Sequence, residues 1–181
     1  MIEESPGILW IGTHEGLNRF DSVKGEFTRY YRNSSDPSGL SCNKILCICK
    51  EGSGDLWIGT ETGGLNRFDK KSGTFVSYMN RPGDPLSIGY NTIRVLLEDN
   101  DGILWVGTQG AGLDRFDEKR GQFTHFRHAP GKPGTLSSDY IEDLLDDGEG
   151  NLWVGTREGG LNIFNKSTGG VHVYKKDLKT E

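Results

Sequence analysis

Leu104-Trp105-Val106-Gly107-Thr108, LWVGT in one-letter code, recurs in nearly the same form at 9–13, 56–60 and 152–156, and this recurrence decides the fold. Trp10, Trp57, Trp105 and Trp153 are the four tryptophans of the chain and lie 47, 48 and 48 residues apart, so each repeat carries one. A fixed period in this range belongs to solenoids, propellers or arrays. Leu104, Trp105 and Val106 are consecutive apolar residues between Gly102 and Gly107. That pattern suits a short strand covered on both faces.

Working outward from the Trp, each unit divides into four strands, clearest in the third: A at 93–98, B at 103–108, C at 112–116 and D at 122–127. Strand A recurs at 45–50 and 141–145, and its apolar run predicts the most enclosed place in the sheet. Strand C recurs as GLNRF, GLNRF, GLDRF and GLNIF, with its Leu and Phe on opposite faces. Gly-, Asn- and Asp-rich segments such as 99–102 and 117–121 join A to B and C to D as hairpin turns, since these residues tolerate positive φ. Longer Pro-bearing segments, 33–42, 80–90 and 128–139, carry the chain from an outer edge to the next inner strand, which is how propeller blades are joined.

The expected fold is all-β, a single β-propeller-type domain over 1–181 with four blades of four antiparallel strands. Its blades fall at 1–33, with a truncated first strand, then 34–81, 82–129 and 130–181. Composition agrees: 33% apolar residues and 27 glycines fit many short strands joined by tight turns. The net charge of −5 lacks the basic excess that phosphate backbones require, so nucleic acid is not an expected partner. No apolar run approaches the about 18 residues of a membrane span, and residues 1–4 are acidic where a signal peptide is basic and then apolar. Membrane insertion is therefore not expected. Cys47 and Cys49, two apart, share a strand face and cannot readily bridge; with Cys42 they read as small buried apolar residues.

The string IRVLLEDNDGILWVGTQGAGLDRFDEKRGQFTHF at 93–126, with its analogues in the other units, resembles the two-component regulator propeller repeat. The resemblance covers essentially the whole chain. It implies the ligand-sensing, extracytoplasmic, periplasmic region of a bacterial two-component regulator, commonly a seven-bladed propeller that helps recognise glycans or other nutrients. A kinase, response-regulator or DNA-binding module is absent from the sequence.

Catalytic chemistry finds little support. The Asp99-x-Asp101-Gly102 run lacks an EF-hand's first ligand and its closing Glu, and Asp146, Asp147 and Glu149 read as a solvated turn. The four histidines are dispersed, and neither a Ser-His-Asp set nor a GxSxG elbow is present. No catalytic residue, metal or cofactor is expected. Streptogramin-inactivating lyases carry similar Trp-Gly-rich propeller repeats, so an enzyme remains a second alternative, after a protein–protein interaction scaffold.

Residues that recur in every unit serve packing and turns; residues that differ are the candidates for recognition. The B–C loops supply His14, Glu15, Glu61, Gln109, Arg157 and Glu158, and the mouths of the A strands supply Asn43, Tyr90, Asn91, Asp139 and Tyr140 on the same face. Amides, carboxylates, Arg and Tyr around a channel mouth suit an oligosaccharide or peptide ligand. An open array also leaves one face of its first and last blades uncovered, and Trp10, Leu17, Phe20, Trp153, Leu161 and Phe164 are expected there. Either a homodimer closing an eight-bladed ring or the rest of a larger propeller would cover them.

Overall fold

The computed structural model describes residues 1–175. Blade 1 consists of β1 (Ile2–Ser5), β2 (Ile8–Thr13), β3 (Gly16–Asp21) and β4 (Glu26–Tyr30), and blade 2 of β5 (Ile45–Lys50), β6 (Leu56–Thr60), β7 (Leu65–Asp69) and β8 (Thr74–Tyr78). Blade 3 contains β9 (Ile93–Glu98), β10 (Leu104–Thr108), β11 (Leu113–Asp117) and β12 (Gln122–Phe126); blade 4 contains β13 (Ile141–Asp146), β14 (Asn151–Thr156), β15 (Gly160–Asn165) and β16 (Val171–Tyr174). Each blade is one sheet whose strands pair antiparallel in chain order. The first strands of successive blades pack against one another, so strand A is innermost.

Every residue of the recurring pentapeptide has its own task. Its Trp points at the following blade and meets the strand-C Phe edge-on: Trp10–Phe68 at 5.3 Å, Trp57–Phe116 at 5.3 Å and Trp105–Phe164 at 5.4 Å between centroids. Edge-to-face pairs of this kind add about 0.5–1.5 kcal/mol to the burial itself. Its Gly leaves room for the first Ile of the next blade: a Cβ on Gly59 or Gly107 would stand 2.7 Å from the Cγ2 of Ile93 or Ile141. Its Thr closes the B–C turn. Thr108 Oγ1 donates to the carbonyl of Gly112 at 2.9 Å and accepts from the amide of Ala111 at 2.9 Å.

The long connections are built into the blade they lead to. Leu40, Ile88 and Leu136 plug the space between blades and are buried. Beside each plug a backbone amide is held by a buried strand-C side chain: Ser41 by Asn66, Gly89 by Asp114 and Ser137 by Asn162. The same connections border the outer strands, Phe75 donating its amide to Ser38, Phe123 to Leu86 and Val171 to Gly134. Asn91 Oδ1 and Asp139 Oδ1 accept the amides that open these segments, from Asn80 at 2.8 Å and His128 at 2.7 Å. Their carbonyls take the amides of Gly64 and Gly112 in the preceding blade. In blade 3 Asp114 also binds His125 Nδ1 at 2.6 Å, which raises the histidine's pKa.

Two expectations need correction. The most enclosed strand of blades 2 and 3 is B, every residue of which is buried, whereas strand A has one buried residue in blade 2 and two in blade 3. Strand B has a strand on either side and a blade on either face, while strand A has an open edge on the channel. The uncovered end faces also have a different composition. Trp10, Leu17 and Phe164 are buried, because each Trp and strand-C Leu faces the following blade and each strand-C Phe faces the preceding one. At the free face of blade 1 the half-buried Phe20 stacks on the exposed Phe27, and blade 4 exposes Leu145 and Tyr174 beside the expected Trp153. Leu161 is half-buried. The three cysteines, expected as buried, are half-buried: Cys47 and Cys49 pack against the cluster around Trp57, and burial pushes the Cys47 thiol up to about 12.

Gly107→Ala is expected to cost about 1–3 kcal/mol by overpacking the seat of Ile141, measured by urea unfolding. An unshifted midpoint would show that this seat does not set the blade spacing. Asn91→Ala, which frees the half-buried amide of Asn80, is expected to cost about 1 kcal/mol in the same assay.

Candidate ligand face

The B–C loops and the entries to the A strands share one face, as hydrogen bonds between them require. The amides of Glu61, Gln109 and Arg157 donate to the carbonyls of Lys44, Thr92 and Tyr140 at 3.0, 3.0 and 2.9 Å. Thr92 Oγ1 donates in turn to the carbonyl of Glu61 at 2.6 Å, tying the loop of blade 2 to blade 3.

Where blades 3 and 4 meet, this face gathers its aromatic residues. Tyr90 and Tyr140, 45% and 44% exposed, flank Gly110. A Cβ on Gly110 would stand 4.0 Å from the Cζ of each ring, and its φ of +134° strains any other residue. Glycine thus keeps a gap open between two rings. Gln109 is bridged to Tyr140, which fixes the backbone on that side.

Charged side chains border the Tyr140 side of the gap. The Arg157 guanidinium lies 5.8 Å from the Tyr140 ring centre, within cation–π range. It grips Glu142 through Nε at 2.8 Å and Nη2 at 2.7 Å, and Arg94 Nη2 reaches the other oxygen of Glu142 at 2.9 Å. Hydrogen bonding from Arg94, assisted by Arg157, keeps the Glu142 carboxyl below its ordinary pKa. Arg94 Nε is buried without a hydrogen-bond partner among the described residues.

Of the residues expected on this face, the structure brings Tyr90, Gln109, Tyr140 and Arg157 together. Glu61 is ion-paired with Lys44 on blade 2. Asn43, Asn91 and Asp139 spend their side-chain oxygens on backbone amides of the connections. His14 and Glu15 are exposed on blade 1, where Glu15 borders Ile11, Asn18 and Phe27, two blades removed from the tyrosine pair. Glu158 is exposed at the tip of its turn with φ of +63°.

Arg94 and Glu142 were missed. They occupy the second position of strand A, where blade 2 has Leu46, so the variation that singled out the loops was present here too. Their opposite charges at one repeat position of adjacent blades were the signal.

Among the described residues no group of three His, Cys, Asp or Glu has the geometry to hold a metal, and no helix is long and apolar enough to cross a membrane.

Comparison with known proteins agrees with this architecture. The sequence model of the two component regulator propeller matches residues 39–62, 87–110 and 135–158. No curated protein matches the sequence. Among solved structures, the extracellular domain of the putative hybrid two component system BT3049 from B. thetaiotaomicron superposes with a TM-score of 0.83 at 28% identity, over 97% of this chain and 24% of that one. The extracellular domain of the putative hybrid two component system BT4673 from the same organism gives 0.76 at 28% identity, over 99% and 25%. Virginiamycin B lyase from Staphylococcus aureus gives 0.68 at 15% identity over 95% and 53%, a likeness of fold alone. The chain thus spans about a quarter of the length of the extracellular domains it matches. Three matched repeats, a fourth unit carrying the same pentapeptide at 9–13 and the blade architecture in common make the chain similar to the two component regulator propeller.

Proposed function

We propose that this chain is a non-enzymatic, ligand-recognising part of the periplasmic propeller of a bacterial two-component regulator, and that it binds a carbohydrate on the face of the B–C loops. The observation that carries this reading is the gap at Gly110 between the exposed rings of Tyr90 and Tyr140, with the Arg157–Glu142–Arg94 chain on its Tyr140 side. Aromatic rings offer flat apolar faces to the C–H side of a sugar, and the guanidinium and carboxylate groups offer donors and acceptors to its hydroxyls. The likeness to extracellular domains of two-component systems supports the sensing role and the periplasmic site.

Isothermal calorimetry against a panel of oligosaccharides tests the reading. Tyr140→Ala and Arg157→Ala are each expected to weaken binding at least about ten-fold, one pair of lost contacts being worth over 1.4 kcal/mol. Binding that survives both substitutions together would reject the site, and heat from peptides alone would reject the carbohydrate.

For the chain taken alone, the end faces support association with a second copy, which would stand in for the rest of the propeller. Within the chain a Trp face meets a Phe face three times, and the uncovered Trp153 face and Phe20–Phe27 face are the same complementary pair. Two chains arranged head to tail about a two-fold axis bury both at once. Light scattering coupled to size exclusion should give twice the chain mass of 20.0 kDa, and Leu161→Asp should return it to one. A stable monomer would reject this assembly.

A further inference from the structure

Three buried strand-C residues hold the connections, and one of them is charged. In blades 2 and 4 Asn66 and Asn162 accept the amides of Ser41 and Ser137 and donate their own side-chain N–H to the hydroxyls of the same serines, at 2.8 and 2.9 Å. Blade 3 departs at each place. Gly89 replaces the serine and offers no hydroxyl, Asp114 replaces the asparagine, and His125 stands opposite it where blade 2 has Ser77 and blade 4 Val173. Asp114 is fully buried, and its Oδ2 accepts the Gly89 amide at 2.7 Å. A carboxylate has no hydrogen to donate, so in this place it must be met by donors and by positive charge.

His125 supplies both. Its Nδ1 lies 2.6 Å from Asp114 Oδ1 and its Nε2 3.0 Å from the carbonyl of Pro85. Both neighbours are acceptors, and a neutral imidazole carries a single N–H, so only the imidazolium makes both bonds. The ring thus joins strand D to the connection at Pro85, while Asp114 holds the same connection at Gly89, with the buried Ile88 between the two points. Asp114, by its hydrogen bond and its charge, lifts the His125 pKa above the ordinary 6.5, against burial and the charge of Arg127. The charges on the connection itself, Arg81 and Asp84, are paired with each other at 2.7 Å.

We propose that Asp114 and His125 are positioning residues for Tyr90 and that their grip on it depends on pH. Tyr90 follows Gly89 directly and flanks the gap at Gly110. On its other side Asn91 is tied to the amide of Asn80, a bond between uncharged groups. With the His125 ring charged, the connection is fixed at both Pro85 and Gly89. Loss of the proton removes one of the two ring bonds and leaves the Asp114 carboxylate buried without its cationic partner, which loosens the approach to Tyr90. Because the folded-state pKa is raised, the contribution is complete below about pH 6.5 and is lost as pH rises through the higher folded value. Blades 2 and 4, with Asn in place of Asp114, have no such dependence. The use of Tyr90 by a ligand rests on the carbohydrate reading, whereas the pH dependence of its position does not.

A pH titration of ¹⁵N-labelled protein tests this without any ligand, following the His125 ring together with the amide cross-peaks of Gly89 and Tyr90. The ring should titrate above about 6.5, and both amide peaks should move with the same midpoint. Asp114→Asn combined with His125→Ser gives blade 3 the pair found in blade 2, where Ser77 Oγ donates to Asn66 at 3.0 Å. In that variant the movement of both peaks should disappear while the spectrum stays dispersed. His125→Gln, uncharged at every pH, should abolish the movement as well, and it carries the test if the double variant does not fold. A His125 midpoint at or below the ordinary value, a Tyr90 peak that ignores the titration of the ring, or a movement retained in either variant would overturn the proposal. Failure of every oligosaccharide to bind, with the coupled titration intact, rejects the carbohydrate reading and leaves the clamp supported.

Discussion

Blade spacing is set by the seat that a strand-B glycine offers to the first isoleucine of the next blade. Ile93 and Ile141 can approach Gly59 and Gly107 because no Cβ stands between them. That approach brings each Trp into edge-on contact with the Phe of the following strand C, and it makes the junction narrow enough for a single Leu or Ile from the connection to fill. Larger residues in the glycine position would splay the blades and separate the aromatic pairs together. One absent methyl group therefore governs packing across the whole array, much as small residues do wherever two backbones must approach.

Much of this was legible in the sequence. The 48-residue period, the four strands per unit and their turns followed from LWVGT, GLNRF and the Gly and Asp positions, because local rules fix hairpins and strand faces. The direction in which each face looks was not legible. Trp and Phe are both large, apolar and recurrent, and only the packed blades reveal that one points forward and the other back, which is why Trp10 and Phe164 were expected in the wrong place. Strand B exceeds strand A in burial for a similar reason: enclosure depends on neighbours in space, whereas an apolar run reports only on the strand itself.

The candidate ligand face was read in outline and missed in detail. Tyr90, Tyr140 and Arg157 could be picked out as residues that vary between repeats. Asn43, Asn91 and Asp139 belong to the same entries, but their side chains are committed to backbone amides, a role that composition cannot distinguish from ligand contact. Arg94 and Glu142 act as a pair across a junction, and their opposite charges at one repeat position of adjacent blades were the trace of it in the sequence.

The connections bear on how the array holds together. Each one seats its Leu or Ile at a junction and hydrogen-bonds along the outer strand of the blade that follows, so the physical unit begins before strand A and overlaps its predecessor. A blade cannot come loose without unzipping the segment that its neighbour delivers. Nearest-neighbour coupling of this kind makes melting travel along the row as a front, with the interior blades protected longest from hydrogen exchange.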